Sequence, residues 1–196
     1  SIVKAADSVL IDGNGSAPAT GEKNYGVRVQ GNGTTVQSGK DMVITGDAGA
    51  TTGVIALAKG DNTGVLFEGT ASTKNVQVLA GTTLDVTGNG GRATAGNSDG
   101  VRAVDAVINA GGNYNVIGTA FNDANVTGGG NDGVSYTRVS STITAGNVVI
   151  DGTASQTAAD TGDNNNGVVL VDKTTVANTG VGTVTIEGTG AAAALG

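Results

Sequence analysis

A short phrase recurs along the whole chain, and its regular return limits the possible folds more than any other feature. In this closing phrase an apolar residue, any residue, a second apolar residue and a polar residue are followed by glycine. The full phrase occurs as VLIDG at 9–13, MVITG at 42–46, VLFEG at 65–69, LDVTG at 84–88, VVIDG at 148–152 and VTIEG at 184–188, and a shorter form, NVIG, occurs at 115–118. A unit of about 20 to 35 residues repeated along a chain is typical of a stacked-repeat architecture.

The apolar residues within one unit indicate short strands. In residues 133–152 they fall in three groups separated by Ser, Thr, Gly or Asn: Val134 with Tyr136, Ile143, and Val148 with Ile150. Alternation with a period of two, bounded by turn residues, predicts strands. We therefore predict an all-β, right-handed parallel β-helix of about six to seven coils, with three short strands per coil. The alternative is an antiparallel sandwich with glycine-rich hairpins, which gives no reason for one phrase to repeat.

The closing phrase also predicts which side chains enter the core. Its second apolar residue is expected to point inward and to stack on its counterparts; these residues are Ile11, Ile44, Phe67, Val86, Ile150 and Ile186. The next residue is expected to point outward; these residues are Asp12, Thr45, Glu68, Thr87, Asp151 and Glu187. The glycine is expected at a tight corner with positive φ; these glycines are Gly13, Gly46, Gly69, Gly88, Gly118, Gly152 and Gly188.

A second phrase, glycine followed by valine, opens each unit. It occurs as GVRV at 26–29, GVIA at 53–56, GVRAV at 100–104, GVSY at 133–136 and GVVLV at 167–171, and Asn75-Val76 replaces it once. The stretches between closing and opening phrases are rich in Asn, Asp, Gly and Thr, so we predict loops inserted at one corner of the coil. Four are long (14–25, 89–99, 119–132 and 153–166) and two are short (47–52 and 70–75).

The organisation of the chain suggests a column that continues beyond its own coils. No linker or change in composition divides it, so residues 1–196 are predicted to form one solenoid domain. Both ends fall at the same phase of the repeat, and neither carries a polar amphipathic cap. An uncovered coil exposes unpaired backbone groups that attract another strand. We therefore expect a polymerising subunit whose copies stack head to tail, or a fragment of a longer column.

The composition argues against several classes of function. The chain has 10 Lys and Arg against 17 Asp and Glu, a net charge of −7, so no basic patch is available for nucleic acid. No apolar run reaches 18 residues, so membrane insertion is not expected. The chain has no Cys and no His, which removes thiol chemistry and the usual general base.

No catalytic residue, cofactor or firm metal site is predicted. The outward acids are interrupted by Thr45 and Thr87, which favours a solvated face, and a β-helix enzyme acting on polysaccharide through Asp151 is the less favoured alternative. Asp160 and Asp163 are the only calcium candidates. Their stretch, residues 160–167, is rich in oxygen ligands but lacks the glutamate of a helix–loop–helix calcium site. An ordinary loop is the simpler interpretation.

Three stretches resemble a known family of repeats. They are TITAGNVVIDGTAS at 142–155, NVQVLAGTTLDVTGNGG at 75–91 and GTTVQSGKDMVITG at 33–46. They resemble the repeats of filamentous haemagglutinin-like large exoproteins and of β-helical autotransporter passengers, which are bacterial surface adhesins. The resemblance implies a right-handed β-helix, a secreted or surface-attached location, and a role in adhesion or in a biofilm matrix.

Together, the repeats and the resemblance lead to one expected function and one alternative. We expect a non-enzymatic extracellular solenoid, structural or adhesive, whose copies stack end to end into a filament. The alternative is a stalk segment of a giant secreted adhesin whose loops bind a cell-surface receptor or glycan.

Overall fold

The computed structural model describes residues 1–15, 23–49, 61–70, 75–91, 97–121, 130–155 and 165–190. In these ranges every helix or strand is a strand. The strands are β1 (Ile2–Ala5), β2 (Val9–Asn14), β3 (Lys23–Gln30), β4 (Thr35–Ser38), β5 (Met42–Asp47), β6 (Asp61–Glu68), β7 (Val76–Ala80), β8 (Leu84–Asn89), β9 (Val101–Val104), β10 (Ala106–Ala110), β11 (Tyr114–Phe121), β12 (Val134–Thr137), β13 (Ser140–Ile143), β14 (Val148–Ser155), β15 (Val168–Val171), β16 (Thr175–Asn178) and β17 (Val184–Thr189).

The strands form three parallel sheets in which every third strand along the chain pairs. The opening sheet has the order β3-β6-β9-β12-β15, the middle sheet β1-β4-β7-β10-β13-β16, and the closing sheet β2-β5-β8-β11-β14-β17. Each complete coil therefore contributes one strand to each sheet, and β1 with β2 forms a first coil without an opening strand. This is a parallel β-helix, so the predicted fold class is confirmed and the antiparallel sandwich is excluded.

The core is a narrow column filled by one residue in two from each strand. In the coil formed by β12, β13 and β14 the predicted residues Val134, Tyr136, Ile143, Val148 and Ile150 are all fully buried. The stacked side chains differ in size from coil to coil where bulky residues are present, which keeps the narrow core filled. In the opening sheet, for example, a fully buried alanine on β9 separates a phenylalanine on β6 from a tyrosine on β12.

Two tyrosines interrupt this aliphatic core. The hydroxyl groups of Tyr114 on β11 and Tyr136 on β12 lie 2.5 Å apart, and both side chains are fully buried. Burial raises the pKa of both phenols above their usual value. One hydroxyl therefore donates to the other, so both take part in a hydrogen bond inside a mostly apolar core.

The closing-phrase glycines lie inside strands or beside a neighbouring backbone, and none of the seven has a positive φ. The prediction of tight corners at Gly13, Gly46, Gly69, Gly88, Gly118, Gly152 and Gly188 is therefore wrong. The reason for glycine is close contact between the closing and opening sheets. A Cβ added at Gly118 would overlap the carbonyl oxygen of Gly133, and the same holds for four other pairs: Gly13 with Gly26, Gly46 with Gly64, Gly88 with Gly100 and Gly152 with Gly167.

One copy of the closing phrase, VLFEG, lies in the opening sheet. Phe67 pairs with Val29 and Glu68 pairs with Gln30, both on β3. Phe67 is buried as predicted, but neither residue belongs to the closing-sheet columns in which the sequence placed them. The short step of 19 residues from Phe67 to Val86, the equivalent residue of the next phrase, is therefore not a coil of its own. The alternation that defines the phrase is shared by both kinds of strand, so it fixes the face of a residue and not its sheet.

The shorter phrase NVIG is a true closing strand in the same register as its neighbours, with Gly118 paired to Gly88 and Gly152. Val116 pairs with Val86 and Ile150 and is buried, whereas Ile117 points outward and is about half exposed. The outward row of the closing sheet is therefore Asp12, Thr45, Thr87, Ile117, Asp151 and Glu187.

The long connections all run from a closing strand to the next opening strand, which confirms insertion at one corner. They span residues 15–22, 48–60, 90–100, 122–133 and 156–167. The predicted loops 119–132 and 153–166 began too early, because β11 and β14 extend to Phe121 and Ser155.

The two stretches predicted as short loops have different roles. Asp47 is the last residue of β5 and residues 48–52 belong to the long connection to β6, whereas residues 70–75 join β6 to β7 at another corner. The proposed opening phrase at 53–56 lies outside the described residues.

Candidate functional site: the ends of the column and its corners

The end of the column formed by β15, β16 and β17 exposes side chains that belong to core columns. Ile186 pairs with fully buried Ile150, and Val184 pairs with fully buried Val148. Nevertheless Ile186 is 43% exposed and Val184 is 45% exposed, because no described coil lies beyond them. Ile186 thus occupies the predicted inward register but is not buried.

The opposite end shows the same feature. Val3 on β1 pairs with buried Val36 yet is half exposed, and Ile11 on β2 pairs with fully buried Ile44 and is partly buried. The outward neighbour Leu10 is three-quarters exposed. Exposed core residues at both ends make each end a cross-section through the hydrophobic column.

The backbone at these ends is also open to pairing. Among the described strands β17 pairs only with β14, β16 only with β13, β2 only with β5, and β1 only with β4. In a parallel sheet a strand uses alternate residues for its two neighbours, so each end strand keeps a row of N–H and C=O groups without a strand partner. All these strands run in the same direction, which is the geometry needed to extend a parallel sheet.

A ladder of polar side chains lines the corner at which the long loops leave. The Nδ2 of Asn24 donates to the Oδ1 of Asn62 at 2.9 Å. Asn131 accepts from the backbone N–H of Ser98 at 2.8 Å and donates to Asn165 at 2.8 Å. These residues all lie two positions before an opening-strand glycine. The ladder therefore links, from coil to coil, residues that lie just before the opening-strand glycines.

Two buried carboxyl groups lie beside this ladder. Asp99 is 2% exposed, and burial raises its pKa to about 7 even though Arg102 lies 3.6 Å away and favours the charged form. Asp99 accepts the N–H of Asp132 at 3.3 Å, and burial also raises the pKa of Asp132, which accepts from Asn166 at 3.0 Å. The corner thus holds acids whose ionisation is costly.

The corner between opening and middle strands carries a ladder of opposite charges. Arg138 donates from Nε and Nη2 to the two carboxylate oxygens of Asp105, at 2.7 and 3.0 Å, and lies 3.5 Å from Asp172. The hydrogen bond from Arg138 lowers the pKa of Asp105. Asp105, Arg138, Asp172 and Lys173 all have φ between +48° and +64°, so charged residues adopt the left-handed conformation at this corner in the later coils, whereas Gly31 and Gly33 do so between β3 and β4.

The outward acids of the closing sheet do not converge on a cleft. Asp151 lies directly opposite Glu187, at the end of the column. A shallow depression of about 420 Å³ lies farther along the same sheet, and its carboxylate, Asp85, accepts a hydrogen bond from Asn115 at 2.6 Å. Within the described ranges, no group of three or more Asp or Glu residues is arranged to hold a metal ion.

Several predicted sites fall outside the part of the chain that the structure describes. These are the calcium candidates Asp160 and Asp163, and the central part of each loop considered for receptor binding, residues 122–129 and 156–164. Both corner ladders were missed by sequence reasoning, although each leaves a signal. Asn recurs two residues before the opening glycine, and Asp105 and Arg138 lie one coil apart at 33 residues.

Comparisons of this chain with known protein families, with curated proteins and with solved structures give no match. Within the described ranges there is no helix long and apolar enough to cross a membrane. The fold and the site geometry therefore carry the functional argument.

Proposed function

We propose that this chain is a non-enzymatic structural subunit that acts outside the cell in an adhesive or matrix filament, with its copies stacked head to tail. The observation that carries the proposal is the exposure of core side chains at both ends of the column. Val3 at one end, and Val184 with Ile186 at the other, occupy positions that are buried in every inner coil, and each is about half exposed. Covering such residues is favourable by about 25 cal/mol per Å² of apolar surface.

The two ends also match each other in register. Continuing the closing sheet from β17 of one copy to β2 of the next places Ile186 on Ile11 and Gly188 on Gly13. The equivalent contacts inside the chain are Ile11 on Ile44 and Gly13 on Gly46. The joint between copies thus repeats contacts that the column already makes between its own coils.

The corner loops supply the adhesive part of the proposal. Five long connections begin and end at one corner of the column, one coil after another along its axis. A filament would repeat these connections at regular intervals, so that many weak contacts to a receptor or glycan would act together. Replacing 122–129 and 156–164 by short Gly-Ser linkers would then abolish attachment to cells or glycans and leave the column folded. Unchanged attachment would remove the adhesive role.

One observation favours a second candidate, a stalk segment of a longer adhesin. The middle and closing sheets have six strands and the opening sheet has five. When two copies of these coils are stacked, the opening sheet lacks one strand at the joint, between β15 of one copy and β3 of the next. Further coils on the same chain would begin with an opening strand and would fill that place.

The polysaccharide-enzyme alternative has a direct test. It requires turnover of a neutral or acidic glycan that is lost in the Asp151→Ala variant. A panel of such glycans left unchanged by the protein closes this alternative.

Assembly of the pure protein tests the proposed function. Sedimentation velocity and negative-stain microscopy would be run on three proteins: the natural chain, Ile186→Lys and Ile117→Lys. Ile186 and Ile117 are 43% and 49% exposed and lie in the same sheet, but only Ile186 lies at an end. We expect filaments from the natural chain and from Ile117→Lys, and single particles from Ile186→Lys because stacking would bury its charge. Single particles from the natural chain over the whole concentration range would refute the filament.

A further inference from the structure

The outward row of the closing sheet carries exposed acids at both of its ends. Asp12 begins the row on β2, and Glu187 ends it on β17. Within the chain Glu187 already lies directly opposite Asp151 on the neighbouring strand. Of the four inner positions, Thr45, Thr87 and Ile117 are uncharged, and the fourth, Asp151, is the neighbour of Glu187. The charge of this row therefore lies toward its two ends, where a second copy would join.

Resting on the proposed function, we infer that copies join in the register of the chain's own closing sheet, and that repulsion between Glu187 of one copy and Asp12 of the next weakens this joint. In this register β17 of one copy lies beside β2 of the next, at the strand spacing of about 4.8 Å. Asp151, Glu187 and Asp12 of the next copy then form a row of three carboxylates along the axis. Like charges directly opposite each other in adjacent strands weaken the pairing.

The remainder of the joint favours association. In the same register Val184 lies on Val9, and Val176 on β16 lies on Val3 of β1. The apolar contacts depend much less on ionic strength, whereas repulsion between exposed carboxylates is screened over a Debye length of about 8 Å at physiological salt. The joint is therefore regulated by its ionic surroundings. The concentration at which filaments begin to form should fall as salt increases.

A charge-reversal cycle tests both the register and the barrier. The full-length chain would be compared with Asp12→Lys, Glu187→Lys and the double variant, by light scattering at about 20 mM salt. Each single change converts a repulsive pair across the joint into an attractive one, so we expect the threshold concentration to fall about 3- to 10-fold. The double variant places two lysines opposite each other, so we expect its threshold to return to that of the natural chain or above it.

Asp85→Lys is the matched control for net charge. Asp85 points outward from β8, in the middle of the same sheet, and its replacement changes the net charge of −7 by the same amount as each single variant. We expect less than a 2-fold effect from it. An equal gain from Asp85→Lys, or a double variant that assembles as readily as the single ones, would overturn the inferred register. If the natural chain forms no filaments at any salt concentration, the proposed function fails. If filaments form but the single variants do not lower the threshold concentration, only the inferred register fails.

Discussion

At the scale of single residues, the column tolerates a few polar groups at a cost that can be measured. The hydroxyl oxygen of Thr63 on β6 is fully buried and has no hydrogen-bond partner. An unsatisfied buried hydroxyl costs roughly 1–3 kcal/mol, and valine has nearly the same shape as threonine. We therefore expect Thr63→Val to raise the free energy of unfolding by about 1 kcal/mol, seen as a higher urea midpoint with an unchanged slope. Thr45→Val, on the outward face of β5, is the control, and an equal gain there would contradict the explanation.

The buried carboxyl group of Asp99 makes stability depend on pH. Its pKa is raised to about 7, above the ordinary value of 3.8, so between these values the folded state holds a proton that the unfolded state has lost. This contribution to stability is complete below about pH 4 and is lost as the pH rises through 7.

Replacement of Asp99 by asparagine removes this titration. We expect Asp99→Asn to be more stable than the natural chain by roughly 2–4 kcal/mol at pH 8, and the two proteins to converge toward pH 4. Urea unfolding between pH 4 and pH 8 would measure the difference. A constant difference across this range would show that Asp99 does not titrate as described.

At the scale of strands, the contact between the closing and opening sheets depends on paired glycines. A Cβ at Gly118 would overlap backbone atoms of Gly133, whereas a Cβ at Gly188, in the last strand of the same column, would lie 3.0 Å from its nearest neighbour, the backbone nitrogen of Val168. Backbone atoms cannot rotate away, so the two sheets would have to separate. We expect Gly118→Ala to cost at least about 3 kcal/mol or to prevent folding, and Gly188→Ala to cost much less. Circular dichroism and urea unfolding would compare them, and equal losses would argue against this packing.

The same scale shows what the sequence can and cannot predict. Alternation correctly places Ile44, Val86 and Ile150 in the core, because a period of two determines the face of a strand. It does not reveal that Phe67 lies in the opening sheet, because both kinds of strand have the same pattern. Nor does it distinguish a glycine needed for positive φ from one needed for close backbone contact. Gly118 is of the second kind, and only the position of the neighbouring sheet reveals this.

The functional surfaces were less accessible to sequence reasoning than the fold. The open ends could be expected from the repeat, because Ile186 and Ile11 occupy the same position in it. The charged ladder from Asp105 to Arg138 depends on a register that becomes visible only when the strands on either side are aligned. The long loops interrupt the repeat irregularly, so spacing alone does not give that alignment.

At the scale of the whole molecule, the proposed filament is a column that continues from copy to copy. Six strands in the closing sheet, each about 4.8 Å from the next, give an axial repeat of about 29 Å per subunit. Fibre diffraction or helical reconstruction of the assembled protein measures this repeat directly. We predict a reflection at about 4.8 Å along the filament axis together with a subunit repeat near 29 Å. Filaments without the axial 4.8 Å spacing, or with subunits related by a clearly different rise, would contradict it.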